Sequence, residues 1–131
     1  MRWEEVFAVF LVSHLVGDYL FQTDWQAVHK RGGLSSGNPV ARRALFAHVS
    51  VYTLSFVPAL VWIAANTSAL AFGLAAVVFI PHLVLDDARV LTAWNHHVKR
   101  GSAPLGDTVF MAVDQSFHVL CLFGTALLAV V

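Results

Sequence analysis

Three times in 131 residues the chain places a histidine and an aspartate four positions apart. The pairs are His14/Asp18, His82/Asp86 and Asp114/His118, and His48 stands alone between the first two. Positions i and i+4 of a helix share one face, so each pair aims an imidazole and a carboxylate the same way. Imidazole nitrogen and carboxylate oxygen are the ligand atoms of zinc, iron and manganese sites. They are equally the groups of proton relays. All seven lie in apolar stretches, where an ionisable side chain is costly and reads as functional by default.

The stretches that must position them are apolar enough to span a membrane. The chain is 58% hydrophobic and only 12% charged, with mean hydropathy +0.70, where a soluble domain carries about 25% charged residues. A soluble protein of this size lacks the interior volume to hide that surface, so lipid is the expected solvent. Four stretches reach the roughly 20 residues a span requires: 3–22, 44–65, 69–90 and 108–131. Pro58 and Pro81 interrupt the second and third, which membrane helices tolerate. Asp107 is the expected N-cap of the fourth. Asn66-Thr67-Ser68 is a tight turn that makes the second and third an antiparallel hairpin, and the segment from Gly32 to Pro39 reads as a flexible loop. The first stretch resembles a signal-peptide core in outline. Glu4 and Glu5 precede it, His14 and Asp18 interrupt it, and no small-residue cleavage site follows, so it is expected to be retained. The expectation is one all-α domain over residues 1–131, an integral membrane four-helix bundle with up-down-up-down topology.

Charge bias orients the bundle. Lys30, Arg31, Arg42 and Arg43 follow the first stretch, and Arg89, Lys99 and Arg100 follow the third, leaving only Arg2 elsewhere. The positive-inside rule places both of those connections in the cytoplasm and both termini outside. Trp25 and Trp94 then fall at the inner interface, with Trp3 and Trp62 near the outer one. In this topology all seven polar residues share the cytoplasmic half, at a depth of roughly 8 to 16 Å at 1.5 Å per residue. Zero formal net charge argues against a nucleic-acid partner, which calls for clustered basic surface. Cys121 is the only cysteine, so an internal disulfide is impossible.

Three accounts compete for what the seven residues do. At a helix centre each aspartate costs about 2.5–3.5 kcal/mol, so Asp18, Asp86 and Asp114 unpaired would cost roughly 7–10 kcal/mol. In the first account a metal compensates. Four imidazoles and three carboxylates suffice for one ion with an ordered outer layer, or for two ions sharing carboxylates. In the second, the pairs form a proton- or ion-coupling site, although the apolar outer halves of the later helices offer no path across. In the third they are interhelical hydrogen bonds, worth about 0.6 kcal/mol each and more usually made by Ser, Thr or Asn.

The run from His14 through Asp18, Gln22-Thr23 and Trp25 to Lys30 resembles the opening signature of domain-of-unknown-function family 3307, a family of small bacterial membrane proteins. Ala47-His48, Pro81-His82 with Asp86, and Asp114-Gln115 with His118 resemble its later motifs, so the likeness covers nearly the whole chain. It implies a bacterial inner-membrane location. A more distant similarity, of motif style only, is to membrane-bound metal-dependent hydrolases.

The reading that follows is a membrane-embedded, metal-dependent hydrolase acting on an amphiphilic or lipid head-group substrate from the cytoplasmic side. Its ligand pool is His14, Asp18, His48, His82, Asp86, Asp114 and His118, for a divalent ion, zinc first, with iron or manganese as alternatives. Asp18 is also the candidate general base, and Gln22 and Arg89 are candidates to position a head group. Membrane lipid is the expected partner, with a homo-oligomer as a further one. The alternatives are a transport component and a purely structural bundle. Tyr52, Gln115 and Asp87 read as structural, Lys30, Arg31, Arg42 and Arg43 as contacts to anionic lipid, and His29, His96 and His97 as solvated.

Overall fold

The computed structural model describes residues 1–67, 71–101 and 105–130. Every regular element among them is helical: α1 (Trp3–Leu15), which runs into a single π turn (Val16–Leu20), α2 (Asp24–His29), α3 (Pro39–Ser55), α4 (Val57–Asn66), α5 (Ala71–Asp86), α6 (Arg89–His97) and α7 (Asp107–Leu128). Helix α1 packs on α7 and α4, and α5 lies between α3 and α7, while α2 rests on α3. The all-α expectation therefore holds. Four packed units result, namely α1 with its π turn, α3 with α4, α5, and α7.

Local chemistry sets the boundaries. Helix α2 starts at a capping box in which the Gln26 amide donates to Thr23 Oγ1 at 3.2 Å and the Thr23 amide donates to Gln26 Oε1 at 3.0 Å. Helix α3 starts at Asn38, whose side chain accepts from Val40 and Ala41, with Pro39 at the first helical position. It thus begins five residues before the expected 44 and takes Arg42 and Arg43 into its first turns. Pro58 has no N–H to give to the preceding turn, and α3 and α4 meet there at 42°. Helix α5 ends at Asp86 rather than at 90, because Ala88 adopts a left-handed conformation (φ 68°) that no α-helix continues through. Asp107 is the first residue of α7 and Gly106 holds the cap position. The expected turn residue Ser68 and the expected helix ends at Ala69 and Val131 lie outside the described residues.

Two segments expected to be loops are helices α2 and α6. The glycine-rich segment is also pinned: Leu34 and Ser35 donate their amides to Asp87 Oδ1 at 2.7 and 3.2 Å, and Gly32 donates to the Asp87 carbonyl at 3.0 Å. Among the described residues, α7 alone is long and apolar enough to cross a membrane by itself; the bent α3–α4 pair passes the same test as one unit. Helix α5 is apolar but short over its described part, and α1 gives way to the π turn. Among the described residues, helix length and composition thus support up to two spans.

One end of the bundle is built mainly of apolar side chains. Val6, Phe10, Phe56, Ile63, Val78 and Leu122 are buried together there. Tyr52 closes this cluster and faces the polar residues on its other side.

Candidate metal centre

The π turn is where the polar half begins. Its wider ring, closed by the Phe21 amide on the Val16 carbonyl at 3.1 Å, rotates Asp18 relative to a regular helix. It lies close against α3, so close that a Cβ on Gly17 would sit 2.7 Å from Tyr52 Cδ2. The result is that Asp18 Oδ1 points between two imidazoles, 3.2 Å from His48 Nε2 and 3.3 Å from His82 Nε2. Asp86, the last residue of α5, approaches the same pair from the other side. Its Oδ2 is 3.0 Å from His48 Nε2 and 3.2 Å from His82 Nε2. The two Nε2 atoms are themselves 3.0 Å apart.

These four atoms come from the π turn, α3 and α5 and form an open cage, in which the two nitrogens lie 3.0 Å from each other and 3.0–3.3 Å from each carboxylate oxygen. A tetrahedral ion with ligands at about 2.0 Å needs donors about 3.3 Å apart, and an octahedral one with ligands at about 2.1 Å needs about 3.0 Å. All four residues are buried, His48 completely. Asp18 Oδ1 and Asp86 Oδ1 have no hydrogen-bond partner, an arrangement that needs a proton or a cation to be tolerable. The Tyr52 ring lies flat on His82, 3.4 Å between centroids and 9° between planes, and fixes the imidazole's orientation.

His118 enters from α7. Its Nδ1–H donates to the Asp114 carbonyl at 2.8 Å, which leaves Nε2 as the bare nitrogen of a neutral ring. That nitrogen is 3.5 Å from Asp86 Oδ1 and has no hydrogen-bond partner. Asp114 is half-buried beside it. Three overlapping groups can hold an ion, with donor atoms within 4.8 Å of one another: Asp18/His82/His118, His48/His82/Asp86 and Asp86/Asp114/His118.

His14 is the member of the proposed pool that faces elsewhere. Its Nε2–H donates to Gln115 Oε1 at 2.8 Å and its Nδ1 accepts from the Tyr52 hydroxyl at 3.0 Å, so both ring nitrogens are committed. Gln115 in turn donates to Asp18 Oδ2 at 3.1 Å and to Asp114 Oδ2 at 3.3 Å. His14 therefore holds the residue that holds Asp18. Tyr52 and Gln115 are structural by expectation; their types and proximity to the paired residues are the signal in the sequence, but only the fold shows which groups they join.

Lys30 is the second residue that the reading placed elsewhere. Rather than turning out to the surface, its ammonium donates to Asp86 Oδ2 at 2.7 Å and to Gln22 Oε1 at 2.6 Å. Helix α2 makes this possible by carrying the chain back over the site. Gln22 thus lies at the site through Lys30. Arg89 does not: the left-handed corner at Ala88 turns α6 away, and Arg89 lines a separate groove with Ser35, Asp87, Thr92, His96 and His97.

A cavity of about 450 Å³ opens over the centre, with Asp18, Asp86 and Asp114 at its floor and Gln22, Lys30 and Arg31 on its wall. Arg31 is seated 4.0 Å above the Phe110 ring, which joins the end of α2 to the start of α7. Residues 6–130 match the family described as Protein of unknown function (DUF3307). The chain belongs to this family. No curated protein matches it, and no solved structure does.

Proposed function

We propose that this DUF3307 chain is a membrane-embedded metal enzyme that hydrolyses an amphiphilic substrate entering from the cytoplasmic leaflet. The observation that carries the metal is the cage itself: two buried imidazole nitrogens 3.0 Å apart, each 3.0–3.3 Å from a carboxylate oxygen of Asp18 and one of Asp86. Zinc, iron and manganese all accept such a mixed donor set. Hydrogen bonding alone serves the cage poorly, since it leaves carboxylate oxygens of both Asp18 and Asp86 orphaned in the interior. A relay across the membrane finds little support, because the cluster beyond Tyr52 is apolar.

Membrane placement is supported by what the helices turn outward. Leu20, Leu54, Phe72 and Leu120, one from each packed unit, are all more than half exposed, Phe72 at 93%. Such surface is unfavourable in water and ordinary in lipid. The basic residues Lys30, Arg31, Arg42 and Arg43 cluster at the end where the cavity opens, which by the positive-inside rule faces the cytoplasm.

A divalent ion at the cage would lower the pKa of a bound water to about 7 and supply the nucleophile. Asp18 belongs to the donor set, held by Gln115. Lys30 and Arg31 face the cavity, where they would bind an anionic head group. Metal analysis of the detergent-purified chain tests the first half of this reading. At least one equivalent of zinc, iron or manganese is expected in the wild type and none in His82→Ala; a wild-type protein that stays metal-free after reloading refutes it. Metal-dependent release of head group from mixed micelles, lost in His82→Ala, tests the second. A metal-loaded protein without that activity would leave a metal site and remove the hydrolase.

A further inference from the structure

His118 and Asp86 face each other in a way the cage does not explain. In the neutral His118 ring Nδ1 carries the proton, given to the Asp114 carbonyl at 2.8 Å, so Nε2 presents a lone pair. Asp86 Oδ1 presents another at 3.5 Å. Both residues are at least 97% buried and neither atom has a hydrogen-bond partner. Two lone pairs confronting one another in a dry interior repel, unless a cation lies between or beside them. Asp114 completes three ligands, since Asp86, Asp114 and His118 each offer a donor atom within 4.8 Å of the other two. Meanwhile the other oxygen of Asp86 belongs to the first cage.

Charge points the same way. Asp18, Asp24, Asp86, Asp107 and Asp114 line the cavity against Lys30 and Arg31, an excess of three negative charges. One divalent ion leaves the site negative and hostile to an anionic substrate. A second makes it positive by one.

We propose that the chain holds a second divalent cation on Asp86 Oδ1, His118 Nε2 and Asp114, with the Asp86 carboxylate bridging the two ions, and that this centre is built for a phosphoester. Two ions about 3.5–4 Å apart clamp the attacking and leaving oxygens of an in-line displacement at phosphorus. The inference rests on the metal reading above and is tested separately from it.

The test is a titration of the chelator-stripped, detergent-purified full chain with Mn²⁺, read by equilibrium dialysis and by electron paramagnetic resonance. Wild type is expected to bind two Mn²⁺ per chain and to show the signal of an exchange-coupled pair. His118→Gln should keep one Mn²⁺ with an uncoupled six-line signal, and Asp107→Asn, at the cavity rim, should keep two. Asp114→Asn gives the same readout as His118→Gln and replaces it if that variant elutes aggregated from a sizing column. One Mn²⁺ per wild-type chain, unchanged in His118→Gln and Asp114→Asn, overturns the second site and leaves the first standing. No Mn²⁺ or Zn²⁺ bound to wild type overturns both.

Discussion

At one end of the bundle Phe10, Phe56, Ile63 and Leu122 belong to one cluster of buried apolar side chains. Past Tyr52, in the same helices, His48, His82, Asp18, Asp86 and His118 are buried as deeply and leave five side-chain nitrogen and oxygen atoms without a hydrogen-bond partner. The first arrangement gains free energy from dispersion and from exclusion from solvent. The second loses it, since each orphaned polar atom costs about 1–3 kcal/mol. One half therefore stabilises a structure that the other half strains, which is the pattern expected where a fold is shaped around a ligand. Tyr52 belongs to both halves, its ring in the apolar cluster and stacked on His82, its hydroxyl on His14.

The sharpest way to break this contrast is to mutate each half and measure both stability and metal binding. Phe10→Ala removes a fully buried ring and should destabilise the protein by about 3–5 kcal/mol, seen as a lower thermal midpoint in detergent. Metal stoichiometry should not change. His48→Leu should act on the metal instead. Metal-free stability should fall by about 1–3 kcal/mol, because the apolar side chain leaves buried polar atoms of Asp18, His82 and Asp86 without the imidazole 3.0–3.2 Å away. The stabilisation that excess metal confers, about 2.7 kcal/mol at 100 times the dissociation constant, should vanish. A His48→Leu protein that still gains stability from metal would show that the polar half holds itself together.

How much of this was legible in the sequence follows from the same division. The i,i+4 pairs and the apolar stretches are short-range patterns, so the helical class and the residues that might converge could be read directly. Convergence of Asp18, His48, His82, Asp86 and His118 follows once antiparallel helices are assumed. Local backbone events were not legible. The π turn that swings Asp18, the bend at Pro58 and the left-handed Ala88 that turns Arg89 away depend on tertiary packing, not on residue type. Lys30 is expected at anionic lipid because a basic residue beside an apolar stretch is drawn to the head groups; helix α2 folds it back onto Asp86 instead. His14 belongs to the expected ligand pool by its spacing to Asp18, yet Tyr52 and Gln115 occupy both of its nitrogens.

That last correction yields an intermediate effect. If His14 and Gln115 serve only to hold Asp18, removing the amide should weaken metal binding without abolishing it. Gln115→Met keeps the volume and removes the donor that reaches Asp18 Oδ2 at 3.1 Å. Loss of such an outer partner costs about 10–100-fold in metal affinity, measurable by competition with a chelating dye. Complete loss would place Gln115 or His14 among the ligands, and no change would mean that the cage positions Asp18 by itself.

The smallest effect concerns the corner that ends α5. Ala88 has φ 68° directly after Asp86 and Asp87, a conformation that costs a residue with a side chain roughly 1–2 kcal/mol and glycine almost nothing. Ala88→Gly relieves that strain and, by loosening the unfolded chain, gives back about 0.4–1 kcal/mol. A net gain of between zero and about 1.5 kcal/mol is expected. Metal affinity should stay the same, because Asp87 already fixes the corner by accepting from Gly32, Leu34 and Ser35. A fall in affinity beyond about threefold, or 0.6 kcal/mol, would mean that the strained backbone itself aims Asp86 into the cage, and the line between the stabilising and the strained half would then run through Ala88.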